Sequence, residues 1–339
     1  MTALTNTNHL VYLTDDEPGF RRRKRGSRFR YFDTDDQPIT DPDTIARIDG
    51  IVIPPAWTSV WIAPIANAHL QATGRDDKGR KQYRYHPKWR KRKESTKFRH
   101  LVAFAKTLPT IRAAVEADLH RHDLPREKVL AALVQLLDET HIRIGNDEYA
   151  RANKSYGLTT LRNRHVHANS TSVQFSFRGK SGKEHKMTLH DRRLARIIHR
   201  CHDLPGQRLF SYLDDDGAIH QIGSADVNAY LREITGADVT AKDFRTWAGT
   251  VLAVSILRHL PEPEDDATAN REMVAATDAV AEELGNTRAV ARASYIHPKV
   301  LDGYRTGALQ AIAPDDVDDV EPGGLDDDER VTLALLSGG

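Results

Sequence analysis

The sequence predicts an α+β protein with three parts. These are a small N-terminal β-sheet lobe (residues 1–95), a larger, mainly helical lobe (residues 96–313) and an acidic, disordered tail (residues 314–339). A chain of 339 residues exceeds the usual size of one domain and suggests about two. Short strand-like segments fill the region up to residue 90, and helical periodicity dominates from Lys97 onward.

The predicted β-sheet lobe consists of short strands between turn sequences. "RFRYFD" alternates in character and ends in the turn "TDDQP". The apolar "IVIPPAW" is a second strand-like segment. "HLQAT" and "QYRYH" lie on either side of "GRDDKGRK", which has the composition of a turn between two strands.

Helices dominate the second lobe, with one β-hairpin inserted among them. "FRHLVAFAKTLPTIRAAVEADL" and "PREKVLAALVQLLDE" have helical periodicity, and Pro125 suits a first helical turn. "TSVQFSF" and "EHKMTL" flank the turn "RGKSGK", whose tip presents Lys180 and Lys183. "NREMVAATDAVAEEL" predicts a further helix that ends at Gly285.

Charge is distributed unevenly along the chain. The tail carries nine acidic residues against Arg330 alone, a net charge of −8, which leaves +9 for residues 1–313. So acidic a segment with little apolar periodicity predicts disorder. The sequence has no charged-then-apolar leader and no long apolar run, so we expect a soluble, cytoplasmic protein. Cys201 is the only cysteine, which excludes an internal disulfide and a cysteine-based zinc site.

Basic residues cluster in two parts of the N-terminal lobe. Residues 74–99 hold twelve Lys or Arg against three acidic residues, with Tyr83, Tyr85 and Trp89 among them, and "FRRRKRGSRFRYF" is a second basic cluster. Cations interleaved with aromatic rings suit a nucleic-acid backbone. A solvated charged surface explains the composition equally well, so the clusters alone leave both interpretations open.

Four short motifs decide between them. In chain order they are "HIRIGNDEY" with Arg143, "FRGKSGKEH" with Lys180, "KDFRTWAG" with Arg245, and "GNTRAVARASY" with Asn286 and Tyr295. Together they resemble the type IB DNA topoisomerases, in particular the poxvirus and bacterial branch. The resemblance spans residues 10–310, because "GRDDKGRKQYRYHP" is similar to the strand region with which that family's N-terminal lobe grips DNA.

The resemblance implies a role for each residue. Tyr295 matches the nucleophile that attacks a DNA phosphodiester and becomes joined to the 3′ phosphate. Arg143 and Arg245 match the pair that contacts the non-bridging oxygens, which arginine can do without a metal ion. Lys180, rather than Lys183, matches the lysine that protonates the departing 5′ oxygen. Asn286 stands where poxvirus members have histidine, and its amide can orient or stabilise but not transfer a proton.

The resemblance also implies DNA contacts and an architecture. The fold expected is that of type IB topoisomerases and tyrosine recombinases, with a monomer acting as a clamp around duplex DNA near the nucleoid. No cofactor, metal or membrane is expected. The residues implied to contact DNA are Arg80, Lys81, Gln82, Tyr83, Tyr85, Tyr149 and Lys242.

Two other functions fit parts of the pattern. A tyrosine recombinase has similar chemistry but usually carries HxxR where this chain has "KDFR", with Lys242 in place of the histidine. A non-catalytic DNA-binding protein of the same fold is the other alternative. It is weakened because Tyr295 and its four partner positions all hold chemically competent residues.

Overall fold

The computed structural model describes residues 9–26, 28–316 and 324–338. The chain divides into two compact units, Met1–Lys97 and Phe98–Gly339, and the boundary lies two residues beyond the one expected from the sequence. Within the described residues, no helix has both the length and the apolar character needed to cross a membrane.

The N-terminal unit is built on a five-stranded antiparallel sheet with the strand order β2-β1-β3-β4-β5. One face of the sheet buries Val60, Ile62 and Ala72 against Ile48 of a short helix, α1 (Pro42–Gly50). Asp41 caps that helix by accepting a hydrogen bond from the amide of Thr44 (2.8 Å). The strands are β1 (Phe20–Arg25), β2 (Arg28–Phe32), β3 (Thr58–Ile62), β4 (Leu70–Arg75) and β5 (Lys81–Tyr85).

The segment "IVIPPAW" is not a strand, so this prediction was wrong. The amide of Ile51 donates to the carbonyl of Ile48 and closes the end of α1. Pro54 and Pro55 have no amide hydrogen to give to a sheet. The carbonyl of Pro54 instead accepts a hydrogen bond from the guanidinium of Arg22 (2.9 Å).

The second unit is mainly helical, as predicted, and the α+β class is confirmed for the antiparallel sheet and the helical body. The helices are α2 (Pro87–Leu119, which begins in the first unit), α3 (Arg126–Thr140), α4 (Asp147–Asn153), α5 (Arg192–Asp203), α6 (Ser224–Thr235), α7 (Ala241–Arg258), α8 (Asp266–Glu283), α9 (Arg288–Ser294), α10 (Pro298–Arg305) and α11 (Asp327–Ser337). The helix α3 is buried along most of its length.

Two small antiparallel sheets lie among these helices. The hairpin strands β7 (Val173–Arg178) and β8 (Glu184–Leu189) pair directly, and β6 (Val166–Ala168), which the sequence did not predict, adds a third strand beside β7. In β7, Val173, Phe175 and Phe177 are buried and alternate with exposed residues. The second sheet pairs β9 (Ser211–Leu213) with β10 (Ile219–Gln221).

The predicted disorder of the tail is wrong for residues 324–338; residues 317–323 and 339 lie outside the described residues. The carboxylate of Asp326 caps α11, and the acidic residues that follow occupy its first turn, where the helix dipole favours negative charge. The helical unit has two hydrophobic clusters, one that includes α3 and one that includes α8 and α10, and apolar side chains further along α11 are buried in both. These are Val331, Leu333, Leu335 and Leu336.

A partly buried ionic contact fixes α11 to the rest of the helical unit. The carboxylate of Glu329 accepts hydrogen bonds from the guanidinium of Arg112 (2.7 and 2.8 Å) and from the indole nitrogen of Trp247 (3.0 Å). Burial raises the pKa of Glu329, but Arg112 and Trp247 outweigh burial and lower it overall. Trp247 lies on α7 two residues after Arg245, so α11 supports the helix that carries a predicted site residue.

Candidate active site

Arg143 lies in the loop after α3, and the backbone of this loop is held in place. α3 ends at His141, whose φ of 53° turns the chain out of the helix. The carbonyl of Arg143 accepts a hydrogen bond from the amide of Leu158 (2.9 Å), and the carbonyl of Ile144 accepts one from the amide of Thr159 (2.8 Å). These hydrogen bonds fix the backbone position of Arg143, whose side chain is half-buried.

Arg245 lies near the start of α7 and is only 5% exposed. Its guanidinium donates to the carbonyls of His141 and Leu284 (2.6 Å to Leu284), which close the C-terminal ends of α3 and α8. Burial and the nearby charge of Arg143 lower the pKa of Arg245, yet an arginine remains charged at neutral pH. Its Nε is buried and has no hydrogen-bond partner among the described residues.

Tyr295 ends α9 and packs directly on α7. The chain reaches it through Gly285, which has a φ of +61° as the predicted end of α8 requires. The Thr250 hydroxyl oxygen lies 3.1 Å from the carbonyl of Tyr295. A β-carbon at Gly249 would stand 2.8 Å from the same carbonyl oxygen, so only glycine lets Tyr295 approach α7 this closely. The Arg245 guanidinium carbon lies 5.2 Å from the centre of the Tyr295 ring.

The cations around Tyr295 change its acidity. Burial raises the pKa of the Tyr295 hydroxyl, but the charges of Arg245, Arg143 and Lys180 and a hydrogen bond from Arg245 outweigh burial. The net effect lowers the pKa of Tyr295 below the usual value of about 10. The site therefore stabilises the phenolate, the reactive form of a tyrosine nucleophile.

Asn286 contacts Arg143 directly. Its side-chain oxygen accepts a hydrogen bond from a terminal nitrogen of Arg143 (2.6 Å), and its amide nitrogen donates to the carbonyl of Leu284 (3.2 Å). The same carbonyl accepts from Arg245. Asn286 thus joins the two arginines through one short chain of hydrogen bonds.

The two lysines of the β7–β8 turn lie at different places. A hydrogen bond from the amide of Gly179 to the carbonyl of Lys183 (2.8 Å) closes the turn. Lys180 lines the cleft that contains Tyr295. Lys183 lines a separate groove with Leu252 and Gly285. This placement distinguishes Lys180 from Lys183 as the lysine next to the tyrosine.

One cleft of about 360 Å³ in the helical unit brings together four of the five predicted catalytic residues, Arg143, Lys180, Arg245 and Tyr295. It also contains Tyr149 of α4 and Lys242 of α7, both exposed, and Asn286 contacts it through Arg143. Among the described residues, no group of three or more His, Cys, Asp or Glu side chains could hold a metal ion. The predicted site residues that line the cleft are Arg143, Tyr149, Lys180, Lys242, Arg245 and Tyr295.

The other predicted DNA contacts lie on or beside β5 in the N-terminal unit. Tyr83 (46% exposed) and Tyr85 (37% exposed) stack with ring centres 6.0 Å apart. Lys81 lies on the same face of the strand and pairs with Asp15 (2.6 Å).

The remaining two residues of this group both contact one carboxylate. Arg80 pairs with Asp76 (2.6 Å), and Gln82, on the opposite face of β5 from Tyr83, donates to the same carboxylate (3.0 Å). Asp15 and Asp76 therefore contact three side chains that the resemblance implies bind DNA.

Sequence reasoning missed several residues that position the site. Gly249 and Thr250 hold the Tyr295 backbone, and Glu329 holds Trp247 on the far side of α7. An isolated glycine inside a helical pattern is a recognised sign of close packing, so "RTWAG" carried a usable signal for Gly249. Nothing in the local sequence indicates Glu329, which lies far along the chain from the residues it contacts.

Two family models match this chain. The catalytic core of eukaryotic DNA topoisomerase I matches residues 86–312, about two thirds of the chain. The N-terminal domain of bacterial DNA topoisomerase IB matches residues 28–76. The two matches lie in succession along the chain, one in the predicted N-terminal lobe and the other mainly in the predicted helical lobe.

Individual relatives agree with the models. DNA topoisomerase 1B of Acanthamoeba polyphaga mimivirus is 33% identical over 294 residues, which cover 85% of this chain and 88% of that protein. DNA topoisomerase 1B of Vaccinia virus (strain Copenhagen) is 22% identical over 241 residues, 70% of this chain and 73% of that protein. DNA topoisomerase I of Monkeypox virus has the same identity and coverage. This chain therefore belongs to the type IB DNA topoisomerases, a family of isomerases.

Proposed function

We propose that this protein relaxes supercoiled duplex DNA by cutting one strand, holding the cut end covalently on Tyr295 and rejoining it. The observation that carries this proposal is the placement of Tyr295 in one cleft with Lys180, Arg143 and Arg245. A tyrosine with a lowered pKa among three cations suits attack on a phosphodiester, whose negative charge grows in the transition state.

In the proposed cleavage step, the phenolic oxygen of Tyr295 loses its proton to solvent and attacks the phosphorus atom. The bond from phosphorus to the 5′ oxygen breaks as the bond to Tyr295 forms. Arg143 and Arg245 neutralise the non-bridging oxygens with their permanently charged guanidinium groups. Rejoining is the reverse reaction, with the released 5′ hydroxyl as nucleophile.

Lys180 supplies the proton that the 5′ oxygen needs as it leaves, and recovers it when the strand is rejoined. Its place in the Tyr295 cleft supports this role, whereas Lys183 lines a different groove. Asn286 has an orienting role, because its side-chain oxygen accepts a hydrogen bond from Arg143 and an amide is neither an acid nor a base near neutral pH. Lys242 adds positive charge beside the cleft.

Neither ATP nor a metal ion is needed in this scheme. Two permanently charged arginines perform the charge neutralisation that divalent cations provide in other phosphoryl transfers. The energy of the phosphodiester is kept in the bond to Tyr295, so rejoining requires no external energy source.

We also propose that DNA is held by both units of a monomer acting as a clamp at the nucleoid. In the N-terminal unit, the stacked rings of Tyr83 and Tyr85 and the neighbouring Arg80, Lys81 and Gln82 would contact the duplex. In the helical unit, Tyr149 and Lys242 would do so beside the cleft.

Relaxation of a supercoiled plasmid in EDTA without ATP tests the proposal. We expect the wild-type protein to produce a ladder of topoisomers and Tyr295→Phe to bind the plasmid without relaxing it. A wild-type protein that binds but leaves the plasmid supercoiled would favour a non-catalytic DNA-binding protein. Recombinant products in place of a ladder would favour a tyrosine recombinase.

A further inference from the structure

One face of the β1–β2 hairpin consists almost entirely of arginines. The register pairs Arg23 with Arg30 and Arg25 with Arg28, and residues directly opposite in an antiparallel pair point to the same side. Arg21 belongs to the same face, because side chains alternate along a strand. All five side chains are exposed. We call this set the arginine face: Arg21, Arg23, Arg25, Arg28 and Arg30.

Folding does not account for these arginines. Like charges directly opposite one another in a sheet are destabilising. Among the described residues, the arginine face has one acidic partner, Asp36, which pairs with Arg23 (2.6 Å). Within the part of the chain that the structure describes, Arg21, Arg25, Arg28 and Arg30 therefore have no acidic partner.

The opposite face of the same hairpin shows what a structural arginine looks like here. Arg22 is half-buried and donates to the carbonyls of Ile53 (3.1 Å), Pro54 (2.9 Å) and Trp57 (2.8 Å). Its guanidinium carbon lies 4.2 Å from the centre of the Phe29 ring. Arg23 pairs with Asp36, and its guanidinium carbon lies 4.4 Å from the centre of the Phe32 ring. The other four members of the arginine face have no comparable network among the described residues, so we look to a ligand for their compensation.

The arginine face lies on the same side of the sheet as the tyrosines of β5. A row of direct partners runs across the sheet from Arg21 to Trp61, then to Thr73 and to Tyr83. Three strand spacings separate Arg21 from Tyr83, which amounts to about 14 Å. The middle of this side is covered by the N-terminal segment, because the Trp61 indole donates to the carbonyl of Glu17 (2.9 Å). The two exposed patches are thus distinct but face the same way.

We propose that the arginine face binds the phosphate backbone of duplex DNA, as a contact separate from β5. Planar guanidinium groups bind phosphate oxygens in pairs of hydrogen bonds. Alternate residues on a strand are about 7 Å apart, so the arginine face presents a regular row of cations rather than a single anion site. A linear polyanion matches this arrangement. The proposal rests on the function proposed above, in which DNA is the substrate.

The salt dependence of DNA binding tests it. In the Tyr295→Phe background, which prevents cutting, the affinity for a duplex is measured over a series of salt concentrations. Each lost phosphate contact reduces the steepness of log affinity against log salt by about 0.9. We expect Arg25→Gln to reduce it by about that amount. The quadruple variant of Arg21, Arg25, Arg28 and Arg30 to Gln should reduce it by about 3.6.

Lys24→Gln is the matched control. Lys24 is an exposed neighbour of Arg25 on the same strand but points to the opposite face, and its loss should leave the slope unchanged. The melting temperature of the quadruple variant should not fall, because repulsion between arginines is removed. A quadruple variant that is folded and keeps the wild-type slope would overturn the proposal, as would an equal effect of Lys24→Gln.

The stoichiometry of the complex identifies the source of the phosphates. If the arginine face binds the same duplex as β5, the quadruple variant should reduce the slope of log affinity against log salt in complexes of one protein with one duplex. If a second duplex occupies it, the change appears only in complexes that hold two duplexes. Cleavage of a duplex by the wild-type protein is measured in parallel, and its absence would count against the proposed function rather than against this contact.

Discussion

Replacing Gly249 by alanine should slow DNA cleavage while leaving the protein folded. Gly249 lies inside α7, where the Tyr295 backbone crosses it. A β-carbon at this position would stand 2.8 Å from the carbonyl oxygen and 3.0 Å from the β-carbon of Tyr295. Ordinary contacts begin at 3.4 Å, so Tyr295 must move by about 0.6 Å.

The size of the effect follows from this displacement. A misplacement of about 1 Å in a reacting group costs on the order of 100-fold in rate, so we expect cleavage to slow by about 10- to 100-fold. The free energy of unfolding should fall by about 0–2.5 kcal/mol, because alanine in a helix gains about 0.5–1 kcal/mol over glycine and so offsets part of a crowding cost of about 1–3 kcal/mol.

The assay is single-turnover cleavage of a duplex whose cut end dissociates, with DNA affinity and melting temperature measured on the same samples. Gly50→Ala is the matched control, because Gly50 ends a helix and a β-carbon there would meet nothing within 4 Å. Wild-type cleavage by Gly249→Ala, or an equal loss in Gly50→Ala, would refute the positioning role of Gly249.

Three further outcomes are expected. Lys180→Ala should cut ordinary DNA slowly, and its cleavage rate should recover on DNA whose 5′ bridging oxygen is replaced by sulfur, a leaving group that needs little protonation. Lys183→Ala should cut both substrates alike. Slow cleavage of the sulfur-substituted DNA by Lys180→Ala would reject Lys180 as the acid. Glu329→Leu should lower the free energy of unfolding by about 1–3 kcal/mol, since it leaves the buried Trp247 indole without its acceptor and leaves Arg112 with Asp138 as its remaining carboxylate partner, and an unchanged denaturation midpoint would contradict the ionic contact. The ionisation of Tyr295 can be followed by ultraviolet absorbance, after subtraction of the titration of Tyr295→Phe. Its midpoint should lie below pH 10 and should move to higher pH in Arg143→Gln, because the charge of Arg143 lowers the pKa of Tyr295. An unchanged midpoint would show that Arg143 does not affect the pKa of Tyr295.

Local patterns predicted elements well where packing agrees with them. "EHKMTL" is β8 with the same limits, and "PREKVLAALVQLLDE" lies within one residue of α3. "IVIPPAW" failed because apolar composition alone does not distinguish a strand from a loop whose carbonyls are satisfied by a distant arginine. α1 was also missed.

The tail shows why net charge is a poor guide to order. Its acidic residues are not spread evenly, and those at the start of α11 occupy positions that a helix N-terminus stabilises. The apolar residues that follow are buried in both clusters of the helical unit, and Glu329 finds Arg112 and Trp247. These partners lie far away in the sequence, so composition within the tail could not reveal them.

For the site, residue types and their order along the chain were predictable through the family resemblance. The placement of Lys180 rather than Lys183 beside Tyr295 agrees with that prediction, whereas their chemical roles stay predictions. The carbonyls that hold Arg245 and the contact of Gly249 with Tyr295 depend on how helices pack, which no local pattern specifies.

The most direct test is to identify the residue that becomes joined to DNA. The protein is incubated with a duplex whose cut end dissociates, the complex is denatured, and the peptide that carries nucleotide is identified by mass spectrometry. We expect the nucleotide on Tyr295, attached through a 3′ phosphate, and no adduct in Tyr295→Phe. An adduct on another residue, an attachment through a 5′ phosphate, or an adduct that persists in Tyr295→Phe would contradict the proposed chemistry.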